Sequence, residues 1–181
     1  MNSPAIERGS GARPPGIAWG EILFRPCVSG DEDRVLNLFN RLSPRSRAMK
    51  FFHRTRRVHR RDLPSLKFDG SGDYGVLAIK GVECVGMGIW ARNSPSHTDA
   101  EIAIAVLDEY QGQGIGRSIL LSLMRSAARQ GINRLVAHVL SENTPVIHLL
   151  GPYASRIEHY TADVLLYLVP VRMDQAAFSD G

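Results

Sequence analysis

Val106-Leu107-Asp108-Glu109-Tyr110-Gln111-Gly112-Gln113-Gly114-Ile115-Gly116-Arg117-Ser118 is the stretch on which the reading of this 181-residue chain turns. An apolar run from Ile102 to Leu107 feeds a short polar turn and three alternate glycines. Beyond them Ile115, Ile119, Leu120, Leu123, Met124 and Ala127 recur at helical spacing, so the stretch reads as strand, glycine loop and helix. The glycines bare the backbone, and the N–H groups of the helix's first turn converge on one point, where the macrodipole adds roughly 0.3–1 kcal/mol of attraction for an anion. A diphosphate suits such a mouth. A P-loop would need a Gly, four intervening residues and a Gly-Lys-Ser/Thr end, but position 111 is Gln and the lysine position holds Arg117. A dinucleotide fingerprint would need its third glycine one residue later and an acid about 20 residues on, where this chain reads Asn133-Arg134-Leu135.

Upstream of the loop, Tyr74 to Ile79 and Cys84 to Ala91 are apolar runs separated by Lys80-Gly81-Val82-Glu83, which predicts an antiparallel hairpin. Glu101 then opens the strand that runs into the glycines. Its alternation puts Glu101, Ala103 and Ala105 on one face and Ile102, Ile104 and Val106 on the other. Downstream, the helix from about Gly114 ends with Arg129 near its negative end and Gly131 as the C′ residue. Leu135 to Leu140 is the next strand, expected parallel to the Glu101 strand because a strand–helix–strand unit crosses over right-handed. Asn143-Thr144-Pro145 opens a helix with Val146, Ile147, Leu149 and Leu150, and Arg156 to Tyr160 and Val164 to Val169 read as closing strands.

At the other end, Ile22 to Val28 reads as a first strand, with Pro26 suggesting a sheet edge. Ser29-Gly30-Asp31-Glu32 matches a capping box ahead of the helical stripe Val35, Leu38, Phe39 and Leu42. Ser43-Pro44 restarts a helix with Ser as cap, carrying Met49, Phe51 and Phe52, and a further helical piece is expected over 61–68. Residues 1–20 and 171–181 read as flexible tails around one domain, 21–170, a length able to bury roughly 70% of its unfolded surface.

No apolar run approaches the ~18 residues of a membrane span, and the first residues lack the apolar segment of a secretory signal. Cys27 and Cys84 are isolated, with neither metal spacing nor a disulfide framework. The chain therefore reads as cytoplasmic, without membrane or metal. The six histidines likewise show no ligand spacing and read as structural or exposed. The formal net charge of +4 is local: nine basic and no acidic residues lie between Arg41 and Arg61, leaving 22 − 9 = 13 basic against 18 acidic elsewhere. Such a cluster attracts phosphate, nucleic acid or an acidic protein surface; a solvated pair of helices is the equal alternative.

What spacing leaves for the loop is Gln111-x-x-Gly114-x-Gly116, and with Val106 upstream and Asn143 after the following strand it resembles the acetyl-coenzyme A loop of the GCN5-related N-acetyltransferase (GNAT) superfamily. The match extends over about forty residues. The segments Leu23-Phe24-Arg25-Pro26 and Leu42-Ser43-Pro44-Arg45-Ser46-Arg47 through Phe52 are similar to the acyltransferase domain of bacterial protein-lysine acetyltransferases. The resemblance implies an α/β (α+β) fold with a mixed, mostly antiparallel sheet of six to seven strands, about four flanking helices, and a splay between the Glu101 and Leu135 strands.

By the same resemblance, the backbone of Ile104, Ala105 and Val106 meets the pantetheine arm of acetyl-CoA, and Asn143 meets its far side. The amides of Gln111, Gly112, Gln113, Gly114, Ile115, Gly116 and Arg117 hold the diphosphate, with Ser118 adding a hydroxyl. Glu101, in Ala100-Glu101-Ile102-Ala103, stands where the lysine acetyltransferases carry a general base. The resemblance implies transfer to a primary amine, a protein lysine or a small molecule, with nucleic acid a disfavoured partner and a homodimer left open. Two departures stand out. The family's general-acid Tyr position, seven residues after Asn143, is Leu150, leaving Tyr153 as the substitute, and the Gly-Phe pair further along is Ala154-Ser155. A reading from another class also stands: a non-catalytic acyl-CoA-binding module whose 41–61 segment docks an acidic partner or nucleic acid.

Overall fold

The computed structural model describes residues 22–53, 56–60, 73–92 and 98–170. The strands are β1 (Ile22–Pro26), β2 (Tyr74–Lys80), β3 (Glu83–Arg92), β4 (Asp99–Val106), β5 (Arg134–Leu140), β6 (Ala154–His159) and β7 (Asp163–Leu168). The helices are α1 (Glu32–Arg41), α2 (Pro44–Phe51), α3 (Ile115–Arg129) and α4 (Thr144–Leu150). The helix expected over 61–68 and both expected tails lie outside the described residues.

One seven-stranded sheet runs in the order β1-β2-β3-β4-β5-β7-β6. Every neighbouring pair is antiparallel except β4–β5, which is parallel as the crossover rule requires. The hairpin between β2 and β3 forms as its turn residues predict, with Gly81 at φ 59°.

Helix α3 covers one face of β2, β3 and β4 with Ile115, Ile119, Leu120, Leu123, Met124 and Ala127, all buried. It approaches closely because Gly86 and Gly88 of β3 lie beneath it: a Cβ on Gly88 would stand 2.3 Å from Ile119 Cγ2. The helix ends in a Schellman motif, with Ile132 N–H donating to Ala127 O (3.0 Å) and Gly131 N–H to Ala128 O (3.3 Å). Gly131 holds the left-handed φ of 71°, and Ile132 is buried behind it.

Helix α1 packs over the opposite face through Val35, Leu38 and Phe39. Its start departs from the expected capping box. The cap is Asp31, not Ser29, and the Asp31 carboxylate is drawn away from the helix to a two-point pair with Arg25 (2.7 Å each) and to the Val28 N–H (3.0 Å). Glu32 accepts from Gly30 N–H instead. A charge-assisted fork outcompetes a neutral hydroxyl cap. Ser43 caps α2 as expected, its hydroxyl accepting from Ser46 N–H at 3.1 Å.

Much of the basic segment is structural. Arg47 is buried and donates to Asn40 O and Arg56 O; Asn40 in turn bonds Val58 through both backbone groups. Arg41 pairs with Glu83 and Glu109, and Arg60 with Asp33. Cys27 and Cys84 are free and buried, and burial pushes their thiols up to about 12 and about 11. No described helix is long and apolar enough to cross a membrane.

Candidate active site

Pairing between β4 and β5 covers only Asp99↔Arg134, Ala100↔Leu135 and Glu101↔Val136. Beyond Glu101 the two strands part, although β4 continues to Val106 and β5 to Leu140. Among the described residues the β4 edge from Ile102 to Val106 is thus left without a strand partner on that side, and a cleft of about 1170 Å³ opens there. Its walls come from β4, β5, the glycine loop, α2 and α4, so it runs through the sheet from the α2 face to the α4 face.

Register fixes what each face presents. Glu101, Ala103 and Ala105 lie opposite Ala91, Ile89 and Met87 of β3, on the side away from α3. Ile104 lies opposite Gly88, whose missing Cβ would meet Ile119 and Leu123 of that helix. The small-residue face expected beside Glu101 is therefore the α2 side of the cleft. Glu101 is exposed at the point where the splay begins.

The glycine loop adopts the shape its sequence foreshadows. Asp108–Tyr110 form a 3₁₀ turn, Gly112 and Gly114 have φ of 71° and 83°, and Gly114 is the N-cap of α3 without any side-chain cap. The first N–H groups of α3 have no intrahelical acceptors, so they remain available at the cleft. Gln111, Gly112, Gly114, Gly116 and Arg117 all line it. Gly116 is small for a different reason: a Cβ there would sit 3.2 Å from Leu149 of α4.

Not every candidate residue reaches the cleft. Asn143, cap of α4, lines it. Gln113 turns back to donate to Glu109 O (2.9 Å), and the Ile115 side chain is core, leaving only its backbone toward the loop. Ser118 lies on the helix one turn in and does not line the cleft, and neither does Tyr153. The Tyr153 hydroxyl accepts from Arg117 Nε at 2.9 Å, and Leu150, in the position of the family's tyrosine, is buried.

Two lining residues were invisible to sequence reasoning. Asp108 accepts from the Ser43 N–H, the Ser43 hydroxyl and the Ser46 hydroxyl (2.9, 2.8 and 2.6 Å), joining the glycine loop to the start of α2. Burial alone would raise its carboxyl, but these donors outweigh burial and hold it below its ordinary value. His138 lies on β5 two residues beyond the partner of Glu101 and so on the same face; it too lines the cleft. Nothing near either residue in the chain signals these positions.

A strand edge freed beside the bared mouth of a helix is the arrangement of a known family. The family model described as "Acetyltransferase (GNAT) family" matches residues 33–151. The chain belongs to the acetyltransferase (GNAT) family. A GNAT relative, Acetyltransferase Pat of Mycolicibacterium smegmatis, is 30% identical over 134 residues, covering 72% of this chain and 40% of its own length. The chain thus spans less than half of that curated relative. Among solved structures, the GNAT domain of S. lividans PAT superposes with a TM-score of 0.70 at 22% identity, covering 81% of this chain and 89% of that one. Spermidine N-acetyltransferase from Vibrio cholerae, in complex with CoA and spermine, gives 0.62 at 18% identity, covering 83% and 96%. These likenesses establish the GNAT fold. The seven-stranded mixed sheet and four helices of the described residues agree with it.

Proposed function

We propose that the chain moves an acetyl group from acetyl-CoA to a primary amine by direct attack in a ternary complex, with Glu101 as general base. The observation that carries this reading is the end of β4–β5 pairing at Glu101, which leaves a strand edge for the pantetheine arm next to the unsatisfied amides of α3.

The edge can be taken residue by residue. Leu107 N–H donates to Val85 O on β3, and backbone polar groups alternate sides along a strand. Ala105 therefore turns its own groups toward β3, while Ile104 and Val106 turn theirs toward the cleft. Gln111 Nε2 already donates to Val106 O at 3.0 Å, which agrees with that direction. In this reading Ile104 is the principal backbone partner of the pantetheine amides, and Gln111 holds Val106 until the coenzyme arrives.

Only about one in a few thousand lysine-type amines is unprotonated at neutral pH, so an acceptor needs a base. Glu101 stands on the small-residue face at the root of the splay, within reach of an amine entering from the α2 side. The diphosphate is assigned to the loop amides from Gln111 to Arg117, and Asn143 to the far side of the pantetheine. Tyr153, bonded to Arg117, orients that arginine, and the departing thiolate takes its proton from solvent. The resemblance of the Leu23-Phe24-Arg25-Pro26 and Leu42-Ser43-Pro44-Arg45 segments to lysine acetyltransferases favours a protein lysine as acceptor and leaves small amines as the other class.

The test is release of coenzyme thiol over a panel of lysine peptides, polyamines and amino acids. Glu101→Gln is expected to lower acceptor-dependent release by about 10²–10⁴ while acetyl-CoA still binds by calorimetry. Unchanged turnover in that variant would remove Glu101 from the mechanism.

A further inference from the structure

The chain contains only three lysines, Lys50, Lys67 and Lys80, against nineteen arginines. One of the three, Lys50, lies in the last turn of α2 and lines the same cleft as Glu101. It is half-buried, and among the described residues its ammonium has no carboxylate or hydrogen-bond partner. Its contacts are two aromatic rings: Nζ stands 5.9 Å from the Phe39 centroid and 5.6 Å from that of Phe51.

A lysine is ordinarily kept from nucleophilic chemistry by its proton, and a paired carboxylate tightens that hold. Among the described residues Lys50 has no such pair, and burial pushes its ammonium below the usual lysine range. Ring faces offset part of the desolvation without fixing the proton as an ion pair would. Lys50 thus brings an amine-bearing side chain to the α2 wall of the cleft, the side from which an acceptor would come.

We propose that Lys50 is a self-modification site, acetylated within its own cleft when acetyl-CoA is bound and no acceptor is present. This rests on the acetyl-CoA reading above. The neutral Nζ attacks the thioester carbonyl carbon; a C–N bond forms, Glu101 takes the proton that nitrogen loses, the C–S bond breaks, and the thiolate leaves as coenzyme A with a proton from solvent. The product is a neutral amide lying along the acceptor wall, where it removes a cation and narrows the cleft.

The whole chain is incubated with acetyl-CoA alone, digested with trypsin and examined by mass spectrometry. Trypsin stops cutting after Lys50 once it is acetylated, so the marker is the uncut peptide from Ala48 to Arg54 carrying one acetyl group. The expected result is labelling of Lys50 well above Lys67 and Lys80, at a fractional rate unchanged by dilution, slowed at least about tenfold by Glu101→Gln. Lys50→Arg removes the label. Equal labelling of all three lysines, or a rate that falls on dilution, would overturn the proposal. If Lys50 stays unmodified in protein that binds acetyl-CoA and acetylates an added amine, this inference fails while the acetyltransferase reading stands. If acetyl-CoA does not bind at all, both fail.

Discussion

The carboxylate of Asp108 accepts both the backbone N–H and the hydroxyl of Ser43, 65 residues away, at 2.9 and 2.8 Å. One side chain at the base of the glycine loop therefore holds the first turn of α2, the helix that supplies Arg45, Met49 and Lys50 to the opposite wall of the cleft. The loop and the acceptor wall are joined at that point.

Asp108→Asn keeps the shape but removes the charge that makes these bonds strong. The partly exposed position limits the loss to about 1 kcal/mol, or about fivefold in an equilibrium. The expected outcome is a rise of that order in KM for the amine, with acetyl-CoA affinity by calorimetry changed less than about twofold. A loss confined to coenzyme affinity would show that the tie serves the loop and not the wall.

Gly114 caps α3 at φ 83°. Alanine there costs about 1–2 kcal/mol of backbone strain and disturbs the amides proposed to hold the diphosphate. Gly114→Ala should weaken acetyl-CoA binding by about tenfold or more, read by calorimetry, with only a modest drop in melting temperature. Gly112→Ala is a useful companion, since its added methyl meets nothing within 4 Å and any effect comes from its φ of 71°.

Gly88→Ala drives a methyl to 2.3 Å from Ile119 Cγ2 and 2.8 Å from Leu123 Cδ1. Both are buried on α3, so the helix must lift. Overpacking of this kind costs about 1–3 kcal/mol, to be measured by denaturant unfolding. A neutral result would mean that α3 can shift away from β3 without loss.

The Arg25–Asp31 pair makes stability depend on acid. The hydrogen bond from Arg25, against opposition from burial, holds the Asp31 carboxyl below its ordinary value of 3.8. A carboxyl depressed in the folded state contributes stability that is fully present above its unfolded value and fades as pH falls through the folded one. Unfolding free energy should therefore drop below about pH 4, and Asp31→Asn should lose about 1–2 kcal/mol at pH 7 while flattening that part of the profile. Parallel profiles for the two proteins would exclude the pair as a source of the acid dependence.

The sequence by itself determined the elements and the character of the loop. Periods of 2 and 3.6 in Ile102–Leu107 and Ile115–Ala127, the turn at Gly81, the Ser43 cap and the Gly131 stop all rest on contacts between near neighbours, which local residue choice controls. Exposure of the α3 amides was legible for the same reason, because alternate glycines leave no side chain to cap them. Tertiary structure alone decided that β7 lies between β5 and β6, that the splay implied by the family resemblance begins at Glu101, that Asp108 holds Ser43, and that Arg47 is buried under Asn40 and Arg56. Each of these joins residues far apart in the chain or depends on how neighbouring layers pack, so no local pattern encodes it. Asp31 shows the two levels in competition: the local box favoured Ser29, and the two-point pair with Arg25 on β1 drew the acid into a different role.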